Sequence, residues 1–160
     1  MKLWRIAAET RAYLATDLSG AGAAAWPGRW NEAGQHLLYA APTIALAVLE
    51  TAAHIDDAGL PLNRYVIEIH LPAALWKART QFTADRLPPT WSAIPASHTS
   101  AKLGADWIAS QSSPVLLVPS VIVPEEFVVL INPKHPKCKG LTARSLRLFE
   151  YSRLFRGAMA

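Results

Sequence analysis

The stretch NRYVIEIHL, residues 63–71, sets Tyr65, Ile67 and Ile69 on one face at a period of two. That spacing is the mark of a strand with one side on a core. The segment just before it has the other period. In PTIALAVLETAAHI, residues 42–55, the side chains of Ile44, Val48 and Ile55 with Leu46 and Leu49 form an apolar helical face. Pro42 and Thr43 sit where a helix start is expected. A clear helix leading into a clear strand points to a mixed fold.

Working outward keeps both periods. KLWRIA, residues 2–7, and QHLLYAA, residues 35–41, are expected strands, with SGAGAAAWPGRWNEAG, residues 19–34, as a long ordered loop between them. From Pro72 to Thr90 the pattern is weak, and Pro88 and Pro89 mark an irregular connection. SAKLGADWIASQ, residues 100–111, reads as a second helix despite Gly104. PVLLVPSVIVP, residues 114–124, is apolar and β-branched but broken by Pro119, so two short strands or one bulged strand are expected. EFVVLINP, residues 126–133, is a strand stopped by Pro133, and SLRLFEYSRLF, residues 145–155, is the expected closing strand. No repeat or linker divides the chain. The expectation is one α+β domain over residues 1–160, with its core at about 3–155.

Composition narrows the function classes. The chain has 160 residues, 51% hydrophobic and 18% charged, which suits a globular domain. The single cysteine, Cys138, excludes an intrachain disulfide framework. Five histidines include no H-E-x-x-H pair, and no metal site is expected. The N-terminal MKLWRIAAET turns polar too soon for a signal peptide, and no apolar run reaches membrane-spanning length. A cytoplasmic protein with no membrane contact is expected. The net charge of +4 is scattered, with no basic arm for direct nucleic-acid binding. It suits a small anionic ligand.

Two familiar motifs fail on context. Gly20, Gly22 and Ala25 match G-x-G-x-x-A, but RAYLATDLS before them is a poor buried strand, and Pro27 and Gly28 would break a following helix. Ser120 lies between Pro119 and Val121 without a nucleophile elbow. Three other features carry more. WPGRWN, residues 26–31, is either a turn packing its aromatics inward or a stiff loop presenting Arg29 to an anion, with the indoles as braces. Glu50 shares a helical face with Leu46 and His54, and is either an exposed charge at the polar edge or a functional carboxylate. Tyr39 is either a core aromatic or a ligand platform.

In order along the chain, RI at 5–6, DLSGAGA, GRWN, the YAA after a glycine, ALAVLE with a histidine four residues on, PS at 119–120 and INPKHP resemble the RES domain family. The resemblance runs from residue 3 to about 155 and is densest from Gly22 to His54. One departure is Val128, where the family commonly has asparagine. The resemblance implies a fold like that of ADP-ribosyltransferase toxins. It implies a bacterial toxin held by an Xre-type helix-turn-helix antitoxin, a homodimer within that complex, and DNA contact only through the antitoxin. It implies NAD⁺ as substrate, with no prosthetic group, cleaved at the nicotinamide–ribose bond by hydrolysis or phosphorolysis. Transfer of ADP-ribose to a protein is the alternative, and a catalytically silent antitoxin partner is a third.

Under that resemblance the residues take roles. Cleavage builds positive charge on the ribose, so a fixed carboxylate beside it stabilises the transition state. Glu50 is the expected carboxylate, Arg29 the grip on the pyrophosphate, and Tyr39 the ring for nicotinamide. Ser120, Asn31, Arg5 and His54 are the further expected substrate-binding residues.

Overall fold

The computed structural model describes residues 1–56 and 59–155. In chain order its elements are β1 (Lys2–Ala8), α1 (Ala21–Ala25), β2 (Leu38–Ala40), α2 (Ile44–Ala52), β3 (Arg64–His70), α3 (Ala73–Lys77), β4 (Thr80–Gln81), α4 (His98–Ser110), β5 (Val115–Pro119), β6 (Phe127–Ile131) and β7 (Thr142–Leu148). Short 3-10 turns cover Ala84–Arg86, Pro89–Ser92 and Tyr151–Leu154. The class is α+β, as the two periods required.

The strands form two sheets. β3 is the middle of an antiparallel sheet ordered β1-β3-β7, and the second sheet runs β2-β6-β5-β4 with only β4–β5 parallel. A shared core lies between them. Leu3, Ile67 and Ile69 of the first sheet pack with Leu38 of β2, Val115 and Leu117 of β5, and Val129 and Ile131 of β6. The other face of the first sheet, with Ile6 and Val66, is covered by Leu46, Ala47 and Val48 of α2. The other face of the second sheet, with Leu116, Val118, Val128 and Leu130, is covered by Trp30, Trp91 and Trp107. Both faces of β5 are therefore buried, which is why its sequence is a continuous apolar run and not an alternation.

Several boundaries differ from the sequence expectation. The loop over residues 19–34 contains the short helix α1, entered through Gly20 at φ 72°. A side chain at Gly20 would meet the Leu37 amide at 2.6 Å, so glycine is required there. No strand runs directly into α1, in keeping with the rejection of a dinucleotide fingerprint. Residues 114–124 make one strand, ended at Pro119, and not two. The closing strand is Thr142–Leu148, starting three residues earlier than expected, and the aromatic pair Phe149 and Tyr151 turns inward after it. Helix α2 starts where expected, with the Thr43 hydroxyl accepting from the Leu46 amide, but ends at Ala52. Among the described residues, no helix is long and apolar enough to cross a membrane.

Glu68, in the middle of β3, is buried and paired. Arg144 donates to both its oxygens, at 2.9 and 3.2 Å, and Lys2 lies 3.1 Å away. The Arg144 guanidinium, and then Lys2, hold this carboxyl below its usual range against the opposing effect of desolvation. Because the folded value lies below the unfolded one, the pair stabilises the fold above the unfolded pKa of about 4.3 and is lost as pH falls through the lower folded value. Glu68→Gln should therefore flatten the acid limb of a melting-temperature profile. An unchanged profile would show that the pair carries no stability.

Candidate active site

A cleft of about 950 Å³ opens where the two sheets are joined. Among the described residues the joint is one antiparallel bridge, in which Trp4 and Ala41 exchange both amide hydrogen bonds at 2.8 Å. Helix α2 and the 26–31 loop contribute to its walls. Arg5 on β1, Tyr39 on β2, Glu50 on α2, and Arg29, His54 and Ser120 from loops all line it.

The WPGRWN loop is braced by one indole. Trp30 is buried in the tryptophan layer, whereas Trp26 is 85% exposed at the cleft, contrary to the expected pair of braces. Trp30 is held because α4 crosses directly over it. A side chain at Gly104 would lie 1.8 Å from the Trp30 carbonyl oxygen, so the crossing demands glycine. The placement of Arg29 follows from this bracing. Its Nη1 donates to the carbonyls of Trp91, at 2.9 Å, and Ala93, at 2.8 Å. Its other guanidinium nitrogens have no protein partner among the described residues, which leaves a donor edge for an anion. Burial pulls the guanidinium below its ordinary pKa, and the Glu50 carboxylate counters that.

Glu50 is half-buried on the cleft side of α2. The Ser120 hydroxyl donates to its Oε1 at 2.5 Å. Ser120 is itself fixed, since its Oγ accepts the amides of Ile122 and Val123 at 3.1 and 3.0 Å. Two backbone donors thus orient the hydroxyl toward the carboxylate, whose second oxygen has no hydrogen-bond partner among the described residues. This arrangement can hold a negative charge at one fixed point in a largely apolar cleft, where charge acts more strongly than in water.

The remaining expected residues divide. Tyr39 lines the cleft, but its hydroxyl donates to Asn31 Oδ1 at 2.8 Å and accepts the Trp30 amide at 3.0 Å. Burial pushes its pKa well above the ordinary tyrosine value, so it stays neutral. Asn31 is only 1% exposed, and its polar atoms bind the loop rather than the cleft. Arg5 is half-buried, its Nη1 reaching the Asp17 carbonyl at 3.4 Å; burial lowers its pKa, and Asp17 opposes that. His54 lies beyond the end of α2 in an exposed turn, not on the helical face expected for it. Val128 forms part of the apolar wall. Among the described residues no three His, Cys, Asp or Glu side chains group for a metal.

The Trp91 and Ala93 carbonyls that anchor Arg29, and the demand on Gly104, are functional features absent from the sequence expectation. Every residue has a carbonyl, so no residue type announces such an anchor. The glycine in a helical pattern was the one visible signal. The exposed Tyr13, Leu14, Ile94 and Ile122, which line the cleft with Trp26, carried no signal of their own.

A family model described as the RES domain matches residues 2–152 of this chain. A protein of Sphingobium sp. (strain YBL2) named Prs ADP-ribosylating toxin is 51% identical over 148 residues, which are 92% of each chain. A protein of Pseudomonas putida named Toxin Res is 34% identical over 157 residues, covering 97% of this chain and all of that one (100%). A chain of the M. tuberculosis MbcT–MbcA toxin–antitoxin complex shares the fold with a TM-score of 0.56 at 16% identity, covering 91% of this chain and 83% of that one.

Proposed function

The chain belongs to the RES domain family, and on that premise we propose that it is the toxin of a toxin–antitoxin pair that cleaves NAD⁺ at the nicotinamide–ribose bond. The observation that carries this reading is the Glu50 carboxylate, held by Ser120 in the same cleft as Arg29. The bond to nicotinamide breaks with its electron pair going to the ring nitrogen. The cationic pyridinium leaves as neutral nicotinamide, so no acid is needed. Positive charge moves to the ribose, where the free oxygen of Glu50 faces it and binds a ribose hydroxyl. Arg29 holds the pyrophosphate with its uncommitted donors, assisted by Arg5, and the Tyr39 ring stacks on nicotinamide. In this reading Ser120, bonded to Glu50, and His54, which also lines the cleft, contact the ribose. An acceptor, whether water, phosphate or a protein nucleophile, then bonds to the ribose carbon that nicotinamide has left, and any proton it loses passes to solvent.

The expected partner is an Xre-type helix-turn-helix antitoxin, acting on a toxin homodimer in the cytoplasm and carrying any DNA contact. The exposed apolar residues along the cleft support a protein partner seated there. A second reading, transfer of ADP-ribose to a protein, is favoured by the 51% identity to a protein named for that activity. Incubation of the purified chain with NAD⁺ should release nicotinamide. Free ADP-ribose supports hydrolysis, ADP-ribose carrying a new phosphate on that ribose supports phosphorolysis, and ADP-ribose found on added Prs, the protein for which that relative is named, supports transfer. No nicotinamide under either condition would sink both readings and leave the silent partner.

Arg29→Lys tests the grip. Lysine keeps the charge but lacks the planar fork and cannot span the two carbonyl anchors while presenting a second donor edge. The KM for NAD⁺ should rise roughly 10- to 100-fold, with a smaller loss in kcat. A wild-type KM would remove Arg29 from the substrate.

A further inference from the structure

We propose that Asn31 is a positioning residue that aims Arg29 through a closed ring of hydrogen bonds around it. This rests on the reading of Arg29 as the group that grips the substrate. The Gly28 amide donates to Asn31 Oδ1 at 2.9 Å. The Tyr39 hydroxyl donates to the same oxygen at 2.8 Å. The Trp30 amide donates to the Tyr39 hydroxyl at 3.0 Å. The backbone amides on either side of Arg29 are thus tied to one acceptor pair. Asn31 Nδ2 anchors the ring by donating to the carbonyls of Ala23, at 2.8 Å, Glu32, at 3.1 Å, and Gln35, at 3.3 Å.

The ring leaves little freedom. Asn31 is 1% exposed, so water cannot replace its bonds without opening the loop. A side chain at Gly28 would lie 2.7 Å from the Tyr39 hydroxyl, so that hydroxyl rests directly on the loop backbone. The guanidinium end of Arg29 is fixed separately by the Trp91 and Ala93 carbonyls. The ring sets where the Arg29 backbone starts, and the carbonyls set where its side chain ends. Asparagine is needed because the site presents donors on one side and carbonyls on the other. An aspartate would turn an acceptor onto those carbonyls.

The test uses Asn31→Ser and Tyr39→Phe, the second removing the hydroxyl and keeping the ring. Amide exchange at Gly28 and Trp30 should accelerate in both variants, whatever the protein does with NAD⁺. Unchanged exchange at both amides would overturn the proposal. In the Arg29 protein each variant should raise KM for NAD⁺ on the order of tenfold with kcat less affected. In the Arg29→Lys background the same substitutions should add little, because the fork they aim is gone. Equal KM effects in both backgrounds would also overturn it, leaving Asn31 a purely structural residue. Absence of nicotinamide release by the unmodified chain would instead mark failure of the proposed function, with the exchange result still deciding the ring.

Discussion

Glu50→Gln should fold normally and lose on the order of 100- to 1000-fold in the rate of nicotinamide release. Glutamine keeps the size of the side chain, and Ser120 can still donate to its amide oxygen. What disappears is the negative charge facing the ribose, which matters most as the bond breaks. The loss should therefore fall on kcat. The fold should survive because Glu50 is half-buried and its hydrogen bond with Ser120 can be kept. Thermal melting and single-turnover nicotinamide release would be measured together. Near-wild-type turnover by a folded variant would end the assignment of Glu50.

Gly104→Ala should damage both stability and activity, although the residue does not line the cleft. The added carbon would overlap the Trp30 carbonyl oxygen, a backbone atom that cannot rotate away. Either α4 lifts or the loop moves. Overpacking of this kind typically costs about 1–3 kcal/mol, which is a fall of roughly 2–12 °C in melting temperature for a chain of this size. Displacement of Trp30 carries Arg29 with it, so the KM for NAD⁺ should rise as well. Gly22→Ala is the control, since a side chain there would have nothing within 4 Å. A Gly104→Ala protein that melts and turns over like the parent would show that the crossing relaxes without cost.

Glu50 and Gly104 differ in how much their sequence context reveals. Glu50 stands out as a charge among apolar helical positions, and the family resemblance gives it a role. Gly104 shows only as a glycine within a helical pattern, with no hint of the loop it must let pass. The strand at 64–70 and the helix beginning after Thr43 were legible because burial leaves a periodic trace in residue type. The weak stretch after Pro72 was not legible, because α3, β4 and the 3-10 turns there are too short to show a period. Trp26 and Trp30 are the same residue type four positions apart, yet one is 85% exposed and the other 3%. Nothing local separates them.

Periodicity determined which segments turn inward, and the resemblance to the RES domain family marked Arg29, Tyr39 and Glu50, whose residue types alone left both readings open. It could not say that Ser120 would meet Glu50 across 70 residues, nor that Arg29 would be anchored 62 and 64 residues away on two carbonyls. Those contacts depend on how two sheets meet at one bridge and on how closely α4 can approach a loop. Such distances are set by packing between elements. A hydrogen bond needs its partners within a few tenths of an ångström, whereas a burial pattern tolerates several ångströms. That difference in tolerance is why the elements were readable along the chain and the geometry of the cleft was not.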